Sequence, residues 1–454
     1  MNDSFSQVEL IREAFYYQSR YEGSTMVFKI DNPVIDDPGF PYLMKDLALL
    51  AQTGFKIVIV PGAKESIDAF LEQHNIASPF NVPGDSQEPA RITAEQAVPF
   101  VEMAAFHVAT RFMTYLSGSR VDAVIGNFVR ARGLGVVNGI DMKHTGTVDK
   151  IYVDSISRVL NQGIVPILPC IGWSPSGKPY NVHSDEIALA ASAALGAVKL
   201  FIVSAQERIC RGKYPLPQNI ETRDDGSIVK LTPQQAENLL AMIGSSATIN
   251  DKETQRVVRE LKLALRASQT GIDRVHLVDG RKEGAVLKEL FSNLGAGTMI
   301  YTDEFESIRP LRSRDLPDVL RLMEPLMQTG ILIRRTAEQI QRKKDDYSVF
   351  DIDGSVRASG ALHNWGDDQG EIAAVATDPF YAGMNLGRRI VDYLIEKARK
   401  NGMLRVFVLT THTQDWFESL GFRETTVDSL PERKRQVYDK ERKSKVFALE
   451  LYKL

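Results

Sequence analysis

The stretch EIAAVATDPFYAGMNLGRRIVDYLIEKARKNG, residues 371–402, changes its hydrophobic period partway along. Small and β-branched apolar residues run to Thr377, a polar segment with Pro379 follows, and a basic amphipathic run begins near Leu386. This change predicts a strand, a loop and then a helix. Because the first N–H groups of a helix have no partner inside it, the turn predicts an anion site of a kind that suits a pyrophosphate.

The sequence on either side of this stretch predicts a compact α/β domain over residues 307–454. A strand and a helix lie in IRPLRSRDLPDVLRLMEPLMQTG, and an antiparallel meander with turns at DG and GDDQG leads into the stretch. The strand LRVFVLT, the helix TQDWFESLG and a strand near KVFALELYKL follow it. The predicted order of elements is therefore β-α-α-β-β-β-α-β-α-β.

Residues 1–300 have a different pattern, in which short Val/Ile-rich runs alternate with amphipathic ones. FKIVIVPG leads to KESIDAFLEQH, and RVHLVDG later leads to AVLKELFSNLG. Such alternation is typical of βαβ units, so we expect a mostly parallel sheet in an αβα sandwich. A separate helix, about residues 6–18, precedes the first strand.

The composition excludes several classes of protein. The chain has 454 residues, 25% of them charged, with a formal net charge of −3 and no dominant basic block, which argues against nucleic acid and membrane partners. Its two cysteines, Cys170 and Cys210, support neither a disulfide framework nor a cysteine-based metal cluster. The N-terminus lacks the pattern of a signal peptide. We expect a cytoplasmic protein without a metal.

The element order after residue 307, with the loop after the fourth strand, resembles the GNAT acetyltransferase family. In the family pattern Q/R-x-x-G-x-G/A, residues 382–387 match only at the last position. The resemblance implies acetyl-CoA as co-substrate, with the pantetheine arm along the strand and the pyrophosphate on main-chain N–H groups. The implied binding residues are Val375, Ala376, Ala382, Gly383, Met384, Asn385, Leu386, Gly387 and Arg388.

Both domains together resemble the bacterial N-acetylglutamate synthase family, in which an amino-acid-kinase-like domain precedes a GNAT domain. The stretches that carry the resemblance are KHTGTVDKI (143–151), GWSPSGKPYNVHSDEIALAASAALGA (172–197), RVHLVDGRKEGAVLKELFSNLGAGTMI (274–300), QTGILIRR (328–335), FVLTTHTQDWFESLGF (407–422) and LPERKRQVYDKERKSKV (430–446). The resemblance implies that acetyl-CoA and L-glutamate give N-acetyl-L-glutamate, the first step of arginine biosynthesis.

The resemblance also implies roles for individual residues. Glu371 would act as general base, and Thr410 would stand at the position of the acid, because Phe417 replaces the tyrosine that many GNAT enzymes use. L-glutamate would be held by the main chain of Leu332 and by the side chains of Arg334, Arg442 and Ser444. Guanidinium groups suit carboxylates because they can bind both oxygens at once.

The N-terminal domain lacks the glycines that hold ATP phosphates in amino acid kinases. The corresponding positions read Lys29-Ile30-Asp31-Asn32 and Pro61-Gly62-Ala63-Lys64, and an Asp in place of Gly would repel a phosphate. We therefore expect a regulatory domain without kinase activity. The family resemblance implies a site for L-arginine formed by Tyr17, His276, Glu289 and Gly295. It also implies a homo-oligomer, with the extra helix as the interlocking element.

Two other functions remain open at this point. The fold of the larger domain is compatible with a kinase acting on N-acetylglutamate, although the missing glycines oppose it. The incomplete pyrophosphate pattern is compatible with a non-enzymatic arginine sensor. ATP turnover would favour the first alternative, and arginine binding without acetyl transfer would favour the second.

Overall fold

The computed structural model describes residues 2–81, 89–217, 220, 222–223, 225–244, 251–292, 295–302 and 306–451. The chain divides into two compact units, Met1–Asp303 and Glu304–Leu454, each with its own large sheet. In the part of the chain that the structure describes, no helix combines the length and the apolar character needed to cross a bilayer.

The elements of the first unit alternate along the chain. Its strands are β1 (Thr25–Ile30), β2 (Lys56–Pro61), β3 (Phe80–Asn81), β4 (Ala90–Arg91), β5 (Ala123–Ile125), β6 (Val129–Gly133), β7 (Val136–Val137), β8 (Ile140–Asp141), β9 (Thr145–Ile151), β10 (Val165–Ile167), β11 (Ile171–Trp173), β12 (Pro179–Val182), β13 (Lys199–Ser204), β14 (Lys230–Leu231), β15 (Arg274–Asp279) and β16 (Thr298–Tyr301). Its helices are α1 (Asn2–Tyr21), α2 (Asn32–Ile35), α3 (Phe40–Gln52), α4 (Lys64–Gln73), α5 (Val98–Gly118), α6 (Val153–Asn161), α7 (Ser184–Ala194), α8 (Pro233–Gly244), α9 (Lys252–Gln269) and α10 (Ala285–Phe291).

Eight strands of this unit form one sheet in the order β14-β16-β15-β13-β1-β2-β10-β5, parallel except for the β15–β16 pair. Successive side chains of β1 enter opposite cores: Met26 and Phe28 join the core that contains α1, α3, α5 and α10, whereas Val27 joins the core that contains α7, α8 and α9. A sheet with apolar side chains on both faces is buried between two helical layers. The predicted αβα sandwich is confirmed.

A small closed barrel of β6, β9, β11 and β12 was not predicted from the sequence. Its strands are short, and glycines allow them to approach one another closely. A Cβ added at Gly172 would lie 2.6 Å from Ala131 Cβ, and one at Gly146 would lie 2.8 Å from Tyr180 Cβ. Short strands separated by irregular turns carry too little periodicity to be recognised.

The second unit contains β17 (Glu306–Pro310), α11 (Leu316–Gln328), α12 (Ala337–Arg342), β18 (Tyr347–Ile352), β19 (Ser355–Gly366), β20 (Gln369–Thr377), α13 (Leu386–Lys400), β21 (Arg405–Thr410), α14 (Gln414–Ser419), β22 (Arg423–Thr425), α15 (Glu432–Gln436) and β23 (Lys445–Glu450). Its sheet has the order β17-β18-β19-β20-β21-β23-β22. The predicted order of elements is found, with the short β22 and α15 as additions.

The two faces of this second sheet are covered by different helices. Helices α11 and α12 contribute Val319, Met323 and Ile340 to a core that also contains residues of β18, β19 and β20. On β19, a Cβ added at Gly360 would lie 2.8 Å from Leu394 Cδ1, so α13 lies directly over this strand. The turn between β20 and α13 is thereby held at one edge of the β20–β21 junction.

We expect Gly297→Ala to destabilise the first unit by about 3 kcal/mol, since overpacking against backbone leaves little room to relax. A Cβ at this position, just before β16, would clash with the carbonyl oxygen of Leu277. The control is Gly118→Ala at the end of α5, where a Cβ meets nothing within 4 Å. Urea-induced unfolding measures both variants, and equal stability of the two would contradict the packing described here.

Candidate functional site

Strands β20 and β21 separate soon after they pair. Their parallel pairing covers Gln369↔Arg405 to Glu371↔Phe407, whereas β20 continues to Thr377. The register between β19 and β20 shifts beside Ala374, which has a φ of +54°, and such a bulge bends the strand. Beyond Glu371, the edge of β20 that faces β21 therefore has backbone groups without a strand partner. Val375 and Ala376 lie in this separated part.

A cavity, here called the cleft cavity, opens at the point where the strands separate. Its lining includes Glu371 and the three residues that follow it on β20, together with Leu409 of β21. The loop after α11 contributes Ile331 and Leu332 to the lining, and the segment after α15 contributes Arg442 and Ser444. The structure thus brings four predicted residues to one cavity: Glu371, Leu332, Arg442 and Ser444.

Glu371 is 6% exposed, and its carboxylate accepts three hydrogen bonds. The ammonium of Lys434 donates to Oε1 at 2.8 Å and to Oε2 at 2.7 Å, and the indole Nε1 of Trp365 donates to Oε2 at 2.7 Å. Neither partner was predicted from the sequence. Lys434 lies in LPERKRQ, which carried the family resemblance, but the alternation of charges there does not reveal which cation turns inward.

Arg334 was predicted to hold the substrate, and this prediction stays untested, but in the structure its neighbour Arg335 is the arginine of the pair that lines the cavity. Arg335 lines the cleft cavity, whereas Arg334 is exposed and is not part of the lining. Adjacent identical residues cannot be distinguished from sequence alone.

Arg335 and Arg442 bring two guanidinium groups to the same cavity. Burial, and then the charge of Arg335, lower the pKa of Arg442 from its ordinary value. Arg442 Nη2 donates to the carbonyl oxygens of Gly330, at 3.2 Å, and Ile331, at 2.5 Å. In the part of the chain that the structure describes, neither guanidinium forms an ion pair with a carboxylate, and the charge of Asp439, which also lines the cavity, only partly offsets the lowering of the Arg442 pKa. Two neighbouring cations of this kind form a suitable carboxylate site.

Thr410 ends β21 and lies outside the lining of the cleft cavity, unlike Leu409. Its Oγ1 accepts from the backbone N–H groups of Thr413 at 3.0 Å and His412 at 3.3 Å, and lies 2.8 Å from Thr413 Oγ1. With two N–H donors on its oxygen, the hydroxyl retains its own hydrogen for donation, and in this structure Thr413 is the available acceptor.

The loop after β20 has the predicted form of a turn opening onto a helix. A 3₁₀ turn spans Pro379–Met384, Asn385 is left-handed with φ +51° and ψ +29°, and Leu386 begins α13. Asn tolerates this conformation, as expected from the sequence. For Ala382 and Gly383 the structure describes the backbone only.

Side chains around this loop hold it in place. A Cβ added at Gly387 would lie 3.3 Å from Trp416 Cζ2, so this position favours glycine. Asp378 accepts from the Phe380 N–H at 3.2 Å and from Arg357 Nη1 at 3.0 Å. Arg388 is exposed beside Asp392, and a weak surface pair of this kind leaves it available to a ligand.

Three of the residues predicted to bind arginine lie on different elements of the first unit: Tyr17 on α1, His276 on β15 and Glu289 on α10. The carboxylate of Glu289 accepts from His276 Nδ1 at 2.7 Å and from the N–H groups of Ala296 and Gly297 at 2.6 and 2.7 Å. The fourth residue, Gly295, has φ +59° and closely approaches Glu289, so the position requires glycine.

Lys199 also lies beside His276, and it was not predicted from the sequence. Its Nζ lies 3.3 Å from His276 Nε2, and because Nδ1 donates to Glu289, Nε2 is the acceptor of this bond. Burial, and then the charge of Lys199, lower the pKa of His276 to about 4. Burial opposes ionisation of Glu289, but the hydrogen bonds from His276 and the two N–H groups lower its pKa overall.

The position of the lost kinase glycines is filled by ion pairs. Lys29 Nζ lies 2.7 Å from Asp185 Oδ1, and Asp31 pairs with both Lys29 and Arg259. Asp31 and Asp185 are 6% and 1% exposed, and their negative charges compensate those of Lys29 and Arg259 inside the unit. In the part of the chain that the structure describes, no group of three or more His, Cys, Asp or Glu side chains is arranged to hold a metal ion.

We expect the stability contribution of His276 to fall by about 2 kcal/mol between pH 7 and pH 5. Its folded pKa of about 4 lies below the ordinary value of 6.5, so the unfolded chain binds more protons in this interval and acid favours unfolding. His276→Asn should remove this part of the pH dependence in urea unfolding, and the exposed His107→Asn should not. Identical pH dependence in both variants would argue against a buried neutral imidazole.

Comparison with known proteins agrees with both units. Residues 24–222 match the amino acid kinase family, and residues 314–422 match the acetyltransferase (GNAT) family. The amino-acid acetyltransferase of Vibrio cholerae is 32% identical over 458 residues, covering 99% of this chain and 99% of that protein.

Two solved structures of N-acetylglutamate synthase from Neisseria gonorrhoeae are also similar. One, in complex with coenzyme A and L-arginine, is 29% identical with a TM-score of 0.81, and the alignment covers 98% of this chain and 99% of that chain. The other, in complex with coenzyme A and N-acetyl-glutamate, is 30% identical with a TM-score of 0.58 and the same coverage. The family predicted from the sequence is confirmed, and the chain belongs to the amino-acid acetyltransferases.

Proposed function

We infer that this protein is an N-acetylglutamate synthase, which transfers the acetyl group of acetyl-CoA to the α-amino group of L-glutamate. The observation that carries this inference is the cleft cavity. It combines a buried carboxylate, Glu371, with two guanidinium groups, those of Arg335 and Arg442, at the point where β20 and β21 separate. A base and a dicarboxylate site beside an open strand edge are what acetylation of glutamate requires.

Acetyl-CoA fits the separated part of β20 and the loop that follows it. The free backbone edge beyond Glu371 offers N–H and C=O groups to the pantetheine arm, along Val375 and Ala376. The N-terminal N–H groups of α13 are suited to the pyrophosphate, and none of them needs a particular side chain. Main-chain binding of this kind would explain how the loop from Ala382 to Arg388 binds a pyrophosphate without the family's full pattern.

The reaction requires a proton to leave the substrate ammonium and a proton to reach the departing thiolate. Glu371 is the proposed base, directly or through one water. The amine then attacks the thioester carbonyl carbon, and the C–S bond breaks as the amide forms. The nitrogen loses its second proton in this step, and that proton restores the hydroxyl of the group that protonated the sulfur. Thr410 is the proposed acid. The two N–H groups that donate to its Oγ1 would stabilise the negative charge left when its proton moves to sulfur.

L-glutamate binding is proposed for the end of the cavity that carries the two guanidinium groups. Arg335 and Arg442 would each pair with a carboxylate, Ser444 would add a hydroxyl donor, and Leu332 would contribute main-chain groups. Because Arg442 donates to the carbonyl oxygens of the loop after α11, it also links the two segments that form this end.

We further propose that residues 1–300 form a regulatory domain that binds L-arginine, and that residues 307–454 form the catalytic domain. The Glu289 carboxylate accepts three hydrogen bonds, which leaves acceptor capacity for a guanidinium. Tyr17 of α1 stacks on Tyr21, and the ammonium of Lys199, beside His276, lies over the Tyr21 ring. The ion pairs of Asp31 support the absence of kinase activity.

The remaining proposals concern assembly and compartment. Helix α1 exposes Ile11 and Phe15, which are 55% and 70% exposed, and this apolar surface supports a homo-oligomer formed through α1. Both cysteines are free thiols, which supports the proposal that the protein functions in the reducing cytoplasm.

Release of CoA thiol from acetyl-CoA, measured with L-glutamate in the presence and absence of L-arginine, tests the proposal. We expect glutamate-dependent release and a change in rate on adding arginine. Arginine binding without any release would instead identify a sensor. ATP consumption with N-acetylglutamate would identify a kinase and would contradict the role proposed for Asp31.

We expect Arg335→Ala to reduce kcat/KM for L-glutamate about 10- to 100-fold, mainly through KM, because a charged hydrogen bond contributes about 1.5–3 kcal/mol. The matched control is Arg334→Ala, which removes an identical side chain from an exposed position and should change kcat/KM less than twofold. Steady-state kinetics at saturating acetyl-CoA measure both. A larger loss for Arg334→Ala would reverse the assignment.

A further inference from the structure

Lys434 is a buried lysine whose position is set by one aromatic and one acidic partner, Trp365 and Glu371. It lies on α15 and is 8% exposed. Its ammonium donates to both oxygens of Glu371 and lies 4.7 Å from the centre of the Trp365 ring. Lysine is almost never buried unless it is paired, so the location calls for a specific purpose. The acetyl-transfer chemistry described above does not use it.

We propose that Lys434 is a positioning residue for acetyl transfer, which holds the Glu371 carboxylate in one orientation in the cleft cavity and keeps a positive charge against it. This inference rests on the proposed function. Donation to Oε1 and Oε2, together with the Trp365 N–H on Oε2, fixes both the place and the rotation of the carboxylate. A base must lie within hydrogen-bond reach of its proton, so orientation affects the rate directly.

The charge of Lys434 matters as much as its geometry. A buried carboxylate is difficult to ionise, and a base must be ionised to accept a proton. The ammonium offsets this burial at contact distance. Since α15 and Arg442 belong to one continuous segment, residues 432–444, the same piece of chain orients the base and binds the substrate.

Other charged and titratable groups also surround Glu371. Directly across the strand pair lies His363, whose pKa is lowered by burial and whose Nδ1 donates to Asp346 at 2.6 Å. The further groups near the base are Lys343, Tyr347, Arg335, Arg442 and Asp439. Among the described residues, Lys434 is the cation in contact with both carboxylate oxygens. Its removal should therefore affect Glu371 more than any other single change.

The test is the pH profile of kcat/KM for L-glutamate in wild type, Lys434→Met and Lys434→Arg. We expect Lys434→Met to move the acidic limb to higher pH by about one unit or more, since the carboxylate loses its compensating charge. Lys434→Arg, which keeps a cation, should return the limb towards the wild-type position. The control Lys440→Met changes an exposed lysine of the same segment and should leave the profile unchanged.

A limb at the same pH in Lys434→Met and wild type would overturn the inference while leaving the synthase intact. Absence of glutamate-dependent acetyl transfer in wild type would overturn the proposed function instead. Loss of the limb in Glu371→Gln assigns it to this carboxylate rather than to His363.

If Lys434→Met is inactive, its unfolding decides the question. An unpaired buried carboxylate resists ionisation in the folded state, so the variant should lose stability as pH rises from 5 to 8, relative to wild type. Adding Glu371→Gln to Lys434→Met should remove that extra pH dependence. If Lys434→Met shows the wild-type pH dependence of stability, Lys434 has only a structural role.

Discussion

The separation of β20 from β21 is the constraint on which the second unit depends. Parallel pairing ends at Glu371↔Phe407, and the bulge at Ala374 carries the rest of β20 away from its neighbour. This single departure from regular pairing frees a backbone edge, opens the cleft cavity and directs the chain into the turn before α13. The fold tolerates unpaired strand groups here because a ligand can pair with them.

Both units contain buried charged groups, but they compensate these charges in different ways. In the second unit, Lys434 compensates Glu371, whereas neither Arg335 nor Arg442 forms an ion pair in the part of the chain that the structure describes. In the first unit, Asp31 compensates Lys29 and Arg259 from within. The cations near Asp31 are thus already neutralised by the protein itself, whereas those of the cleft cavity can still pair with a carboxylate of a ligand.

The sequence allowed prediction of both folds and of most of the cleft, for reasons visible in particular residues. Hydrophobic period revealed β20 and α13, and the family resemblance identified Glu371 and Arg442. The sequence could not show that Arg335 lines the cleft cavity and Arg334 does not, because two adjacent residues of the same type give the same local pattern. Lys434 and Lys199 were missed because burial of a lysine depends on tertiary contacts that no local pattern records. Their acidic and imidazole partners lie far away in the chain.

The ion pairs around Asp31 also bear on how this family can evolve. Replacing Asp31 with glycine would restore one element of a phosphate-binding loop, but it would leave the buried Lys29 and the partly buried Arg259 without that compensating charge. Breaking one partner of a buried pair destabilises a protein by about 3–5 kcal/mol, a large share of a typical folding free energy. A single substitution towards the kinase pattern at Asp31 would therefore lower the stability of the first unit, even though Lys29 keeps its ion pair with Asp185.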